Sequence, residues 1–407
     1  MDNIILIILL TFWFSTIPVS ALTLIRFLRN RKVFVEKDLK RVYNDPKIIF
    51  QITTRSATQT KVVQRGINSI KQSANIIDFA NYLISIVTDD ENDIYTIKDQ
   101  KCEVVVVTKD FATYAVKKGR ALQYAVEHRR KKNQNTSKFW IFHMDDESFV
   151  TEQTILSLLK YIRNGKGIAA EGPIFYPLKF EKANPITAIA ESIRPFSCYD
   201  CVSQMTNPPP IHMHGSNLLV RSDVEDKVEW KFGPTLAEDQ LFGYKIYEKY
   251  GSHSLGWHGG VLLEQPPLGF KDHFMQRRRW IIGTLQNISN FPFWQKFKIL
   301  FKLSSYFMGF VSGVFSIILY FQSITPKLLT IFSSIDITHI DSYNLLQNIF
   351  STILPSISLD SISNVSNQVV VTGPTNLGII SIFLIFPYAM WIISYQIGLF
   401  FNIRLTT

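Results

Sequence analysis

The stretch Lys138-Phe139-Trp140-Ile141-Phe142-His143-Met144-Asp145-Asp146-Glu147 is an apolar, aromatic-rich run of strand length that ends in three carboxylates. Comparable runs precede it at Ile48 to Thr53, Tyr82 to Val87 and Glu103 to Val107, each followed by polar residues. Segments of helical character, such as Arg120 to Lys132 and Thr151 to Arg163, separate or follow them. Strands alternating with helices predict an α/β domain built on a mainly parallel sheet. In such sheets ligands bind beyond the carboxyl ends of the strands. The residues expected there are Thr54 and Arg55, Asp89 and Asp90, Lys109 and Asp110, and Asp145 to Glu147.

Asp145 and Glu147 are two apart, so on an extended strand end both point to one face. Carboxylates so placed suit a hard divalent ion, Mg2+ or Mn2+, which takes oxygen ligands and can neutralise phosphate. A solvated acidic turn is the plain alternative for these three residues alone.

Length and charge narrow the class. The chain has 407 residues and a formal net charge of +10. The cations cluster beside apolar spans rather than forming a nucleic-acid-binding stripe, so no nucleic-acid partner is expected. Asn3 to Ile25 carries no charge and is long enough to cross a bilayer. Arg26, Arg29, Arg31, Lys32, Lys37, Lys40 and Arg41 follow it, an order opposite to that of a cleaved signal peptide. Leu303 to Pro326 and Leu377 to Ile403 are further candidate spans, bordered by Lys296, Lys298 and Lys302 and by Arg404. Residues 327–373 hold one Lys against Asp336, Asp341 and Asp360, and the positive-inside rule puts that stretch outside.

The expected organisation is therefore an anchor at residues 1–30, a cytosolic catalytic domain at 45–290, a basic aromatic helix at 291–302 lying in the headgroup layer, and spans at 303–326 and 377–403 flanking an external loop at 327–373. Such a chain would sit in the cell membrane as a multi-pass protein, in contact with membrane lipid. Three cysteines, Cys102, Cys198 and Cys201, give no disulfide framework. Cys198 and Cys201 have metal-ligand spacing, with buried thiols as the plainer expectation.

Two further signatures lie downstream, Ala237-Glu238-Asp239 and Gln276-Arg277-Arg278-Arg279-Trp280. With the acidic cluster at 145–147, their order resembles the inverting glycosyltransferases of family 2. The resemblance covers roughly Ile48 to Asn287 and implies a GT-A domain, a Rossmann-like nucleotide fold. It implies that Thr54, Arg55, Asp89 or Asp90, Arg120, Asp145, Asp146, Gln276 and Arg279 meet the nucleotide sugar, with Lys118-Gly119-Arg120 as the basic segment beside it. The metal would be held by Asp145 and Glu147, although Glu147 replaces the family's usual Asp and leaves open which carboxylates reach the ion.

The same resemblance assigns the base to Asp239, with Glu238 beside it. An acceptor hydroxyl is a poor nucleophile, so a positioned carboxylate must take its proton. One base with attack on the far side of the anomeric carbon inverts configuration. His214-Gly215-Ser216-Asn217 resembles the family's acceptor loop, and Trp280 offers an apolar face to a sugar. His212 and His214 also have the spacing for joint metal binding.

His214 to Arg221, Ala237 to Asp239, Gly256-Trp257 and Glu264-Gln265-Pro266-Pro267 look most like the egghead group of membrane β-mannosyltransferases and its microbial relatives. The expected reaction moves a hexose from a GDP- or UDP-sugar to a lipid-linked or glycan acceptor. A processive polysaccharide synthase and an inactive membrane protein that binds glycans or nucleotide sugars are the alternatives.

Overall fold

The computed structural model describes residues 45–56, 61–97, 100–165, 167–176, 184–191 and 194–304, with scattered residues within 11–28, 311–314 and 392–400. Two compact units separate, residues 1–22 with 300–393 and residues 23–299 with 394–407. The described residues of the first are helical; the second carries the sheet. Among the described residues no helix is long and apolar enough to cross a membrane. The expected spans at Asn3 to Ile25, Leu303 to Pro326 and Leu377 to Ile403 lie largely outside the described residues, and the loop 327–373 wholly so.

The four apolar runs are strands β1 (Lys47–Thr53), β2 (Tyr82–Thr88), β3 (Cys102–Val106) and β4 (Phe139–Asp145). Short strands follow: β5 (Ser148–Phe149), β6 (Ala169–Glu171), β7 (Ile174–Phe175), β8 (Leu218–Arg221), β9 (Leu255–Trp257) and β10 (Leu262–Glu264). Seven form one sheet in the order β3-β2-β1-β4-β8-β6-β9, and β5-β10-β7 form a second. Strands β1 to β4 pair in parallel as expected. The sheet is mainly parallel as expected, β6 and β9 included, with one departure: β8 runs antiparallel to both β4 and β6 and makes the sheet mixed. Strands of two to four residues carry too little periodicity to reveal their direction in sequence.

Both faces of the large sheet are covered, which is why its strands are apolar throughout. The helices are α1 (Lys61–Ile76), α2 (Asp93–Thr96), α3 (Lys117–Lys131), α4 (Glu152–Asn164), α5 (Pro185–Glu191), α6 (Arg194–Thr206), α7 (Ser222–Val228), α8 (Glu238–Tyr250) and α9 (Phe270–Asn287). Alternate strand residues serve opposite cores: Phe50 and Phe142 pack with Ile67 of α1 and Leu158 of α4, whereas Ile49 and Ile141 pack with Leu122 of α3, Phe242 of α8 and Trp230. Trp230 stacks on Phe242 with ring centres 4.0 Å apart. Helix α4 begins at Thr151, whose hydroxyl accepts from the Thr154 amide, and ends at Gly165 with φ of 59°. A polar N-cap and a left-handed glycine are what close the two helix ends.

One charged cluster crosses the second core. Arg129 of α3 meets Glu225 of α7 at 2.5 Å, both almost fully buried. His143 of β4 lies 3.1 Å from the same carboxylate, and the Trp230 indole donates to it at 2.8 Å. Burial alone would push the Glu225 carboxyl up, but Arg129 and His143 outweigh it and hold the group at about 2.

Candidate active site

Strand β4 delivers Asp145 to the carboxyl edge of the sheet, and the chain turns there through Asp146 and Glu147 before β5. Glu147 therefore sits in a turn, and the alternation expected for an extended strand end does not govern it. Asp146 accepts from the Thr54 hydroxyl at 2.9 Å, which ties this turn to the end of β1. Asp90, after β2, accepts from Ser56 at 2.7 Å. Asp89 lies 3.5 Å from Arg120. Arg55 is exposed.

Lys118, at the start of α3, is the cation at the centre. Its Nζ is ion-paired and hydrogen-bonded to Asp145 and donates to the Gly215 carbonyl at 3.1 Å. Burial works against its charge, but Asp145, Glu238 and Asp239 outweigh burial and raise its pKa. Arg120 turns the other way, donating to the Phe111 carbonyl at 3.4 Å and to the Thr108 carbonyl. Residues two apart on a helix do not share a face.

Glu238 and Asp239 open α8, where backbone amides favour negative charge. Partial burial and the neighbouring Glu238 nevertheless push the Asp239 carboxyl up to about 7, against the opposing pull of Lys118. Burial also raises Glu238, which Lys118 and Arg279 partly counter. Glu147 is held well above the usual carboxylate range by burial and by Asp145. Glycine at 215 keeps the centre open: a Cβ there would stand 2.9 Å from Asp239 Oδ2 and 3.2 Å from Lys118 Nζ.

A cleft of about 490 Å³ adjoins this centre, with Glu147, Gln265, Gln276, Arg278 and Arg279 in its wall. Helix α9 divides its motif between two faces. Gln276 and Arg279 look into the cleft, and Gln276 Oε1 is buried without a protein partner. Arg277 and His273 instead meet buried Glu191 of α5. The Trp280 ring carries Arg277 at 4.4 Å and Arg194 at 4.8 Å from its centre. The indole expected to face a sugar is thus already stacked on guanidinium groups.

The 214–217 loop is mostly internal. The Asn217 amide donates to the Pro173 and Gly260 carbonyls at 2.8 and 2.9 Å. Ser216 donates to Glu264 at 2.5 Å, and the His214 amide donates to Glu171. Gly215 borders Asp239. Glu264, quoted in the sequence for its family likeness but given no role there, is a member of this centre; burial and Asp145 raise it to about 7. Its signal in the sequence was its place at the head of Glu264-Gln265-Pro266-Pro267. Of the cysteines, Cys102 and Cys201 are unbridged, the second buried.

A family model described as glycosyl transferase family group 2 matches residues 140–360. The chain is 27% identical over 235 residues to the beta-1,4-mannosyltransferase egh of Drosophila melanogaster, covering 56% of this chain and 50% of that protein. It is 25% identical over 269 residues to the beta-1,4-mannosyltransferase bre-3 of Caenorhabditis elegans, covering 64% and 57% respectively. The chain thus spans about half the length of the curated relatives it matches. Among solved structures it resembles the mannosyltransferase PcManGT of Pyrobaculum calidifontis in complex with GDP-Man and Mn2+, at a TM-score of 0.49 and 9% identity, covering 97% of this chain and 99% of that one.

Proposed function

The chain belongs to glycosyl transferase family group 2, and from that premise we propose that it is an inverting enzyme that moves a hexosyl group, mannosyl first among the candidates, from a nucleoside diphosphate sugar to an acceptor hydroxyl. The observation that carries this reading is the meeting of Asp239, with a carboxyl near 7, and the Lys118–Asp145 pair. A carboxyl near neutrality is matched to taking a proton from a hydroxyl at working pH.

Asp239 accepts the acceptor hydroxyl's proton as that oxygen bonds to the anomeric carbon, and the bond to the diphosphate breaks on the opposite face. Arg278 and Arg279, in the cleft wall, suit the departing diphosphate, since guanidinium forks match phosphate oxygens. Thr54, Arg55, Asp89, Asp90 and Arg120 are proposed for the nucleotide and Gly215 for the approach of the acceptor.

Asp145 and Glu147 fit a hard divalent ion, Mg2+ or Mn2+: burial and the neighbouring Asp145 carboxylate both raise Glu147, and a cation between the two would relieve this. The ion would neutralise charge on the leaving diphosphate. The domain is proposed to be of GT-A type and to work on the cytosolic side of a membrane, on a lipid-linked or glycan acceptor. Phe293, Trp294 and Phe297 are all more than half exposed on the helix at residues 293–304, as suits a headgroup layer.

Purified protein in detergent, given GDP-mannose, UDP-glucose or UDP-N-acetylglucosamine with Mn2+, should release nucleoside diphosphate from one of them on adding an acceptor. Release from none, across lipid and glycan acceptors, would overturn the reading.

A further inference from the structure

Cys201 and His214 make no part of the chemistry above, yet both are about 6% exposed and meet with Sγ and Nε2 3.3 Å apart. His212, at the solvent edge, joins them: one ligand atom from each of the three lies within 4.8 Å of the others. The two imidazoles sit edge to face with ring centres 5.2 Å apart. We propose that Cys201, His212 and His214 form a metal site for zinc or a similar soft divalent ion, one that staples the loop bearing Gly215 to helix α6.

Distance supports the assignment. Zinc bonds thiolate sulfur at about 2.3 Å and imidazole nitrogen at about 2.0–2.1 Å in a tetrahedron, which sets neighbouring S and N ligands roughly 3.5 Å apart. The Cys201–His214 separation of 3.3 Å is close to that value. A side-chain rotation of His212, which solvent leaves room for, closes the remaining gap.

The backbone around the three residues is fixed. Gln204, one turn beyond Cys201 on α6, accepts from the amides of Ile211 and His212 at 3.0 and 2.8 Å. The amide of His214 is held by Glu171, and the Ile211 carbonyl accepts from Gln240 of α8 at 2.8 Å. Such outer contacts orient ligands before the ion arrives. Water completes four-coordination.

Ligand chemistry separates this site from the carboxylate centre. A thiolate with two imidazoles selects zinc-class ions, whereas Asp145 and Glu147 select Mg2+ or Mn2+. Binding takes the thiol proton of Cys201 to solvent and leaves both imidazoles neutral. The consequence reaches the active site through three residues, because Gly215 follows His214 directly and its carbonyl receives Lys118.

The test needs no sugar donor, so its outcome is independent of the reaction proposed above. Full-length protein purified under reducing conditions and reconstituted with zinc should retain about one zinc per chain through desalting. Cys201→Ser and His212→Ala should each lose most of it, the second at an exposed position where folding is undisturbed. Cobalt-loaded protein should show a thiolate-to-cobalt charge-transfer band that Cys201→Ser removes. Failure to retain zinc, or retention undiminished in His212→Ala, or a cobalt complex without that band, would overturn the proposal.

Discussion

Asn287, in the last turn of α9, donates from its amide to the backbone carbonyl of Ala237 at 2.7 Å, and Ala237 immediately precedes Glu238 and Asp239. The same amide reaches Gln240 Oε1 at 3.0 Å. Four residues before Asn287, Gly283 allows the helix to lie against this segment: a Cβ there would stand 2.7 Å from the Ala237 amide nitrogen. The helix that carries Gln276 and Arg279 is thereby locked to the start of the helix that carries the proposed base.

Asn287→Ala should consequently cost activity out of proportion to stability. Loss of the buried donor destabilises by about 1–3 kcal/mol, whereas a displacement near 1 Å at a catalytic group lowers turnover about a hundredfold. Nucleoside diphosphate release and thermal unfolding on the same preparation compare the two. Turnover that falls no further than stability predicts would show that the lock does not position the base.

Asp239 sets an expected pH profile. Its carboxyl is raised to about 7, and a base works only when deprotonated, so kcat/KM should climb as pH rises through about 7 and level off above it. Asp239→Asn should abolish transfer at every pH while nucleotide binding survives. A flat profile between about pH 6 and pH 8 would remove Asp239 from the role.

Lys118 should tune that limb. Its charge pulls the Asp239 carboxyl down, so Lys118→Met should move the ascending limb to higher pH, by about one unit or more. An unmoved limb in an active variant would mean that Lys118 and Asp239 do not interact during turnover.

Chelation tests the carboxylate pair. EDTA should stop turnover, and Mg2+ or Mn2+ should restore it; Asp145→Ala and Glu147→Gln should each weaken metal-dependent binding of the donor. Activity that persists in chelator would leave the pair without an ion.

The buried cluster at Glu225 makes a separate prediction about stability. Glu225 is depressed to about 2 from an ordinary 4.5, so its contribution is fully present above the unfolded value and is lost as pH falls from about 4.5 toward about 2. Glu225→Gln leaves Arg129 charged and buried and should cost about 3–5 kcal/mol at neutral pH. Thermal unfolding should also show the variant losing less further stability across that acid window than the parent chain.

The first half of the fold was legible because β1 to β4 are long apolar runs, and a parallel pair buried on both faces demands such runs. Strands β5 to β10 were not, since Ser148–Phe149 or Leu262–Glu264 could belong to any element. The site followed the same division. Asp145 and Asp239 announced themselves as charges in motif order. Lys118 and Arg120 looked equivalent until the helix put them on different faces, and Gln276 and Arg279 parted from Arg277 and Trp280 on α9 for the same reason. Asn287 and Gly283 carry no charge and no motif; their importance is purely a matter of which backbone lies 3 Å away.

The pairing of β10 with β5 in the small sheet also orders events in time. The Lys118–Asp145 pair spans only 27 residues of chain, whereas the bond from Ser148 to Glu264 spans 116. At roughly 5–20 residues per second of synthesis, the second waits about 6–24 seconds after the first is ready. Through that interval the growing polypeptide holds its acidic edge with Lys118 and Thr54, and anything that binds nascent chains meets Asp145 and Asp146 well before Glu264 exists.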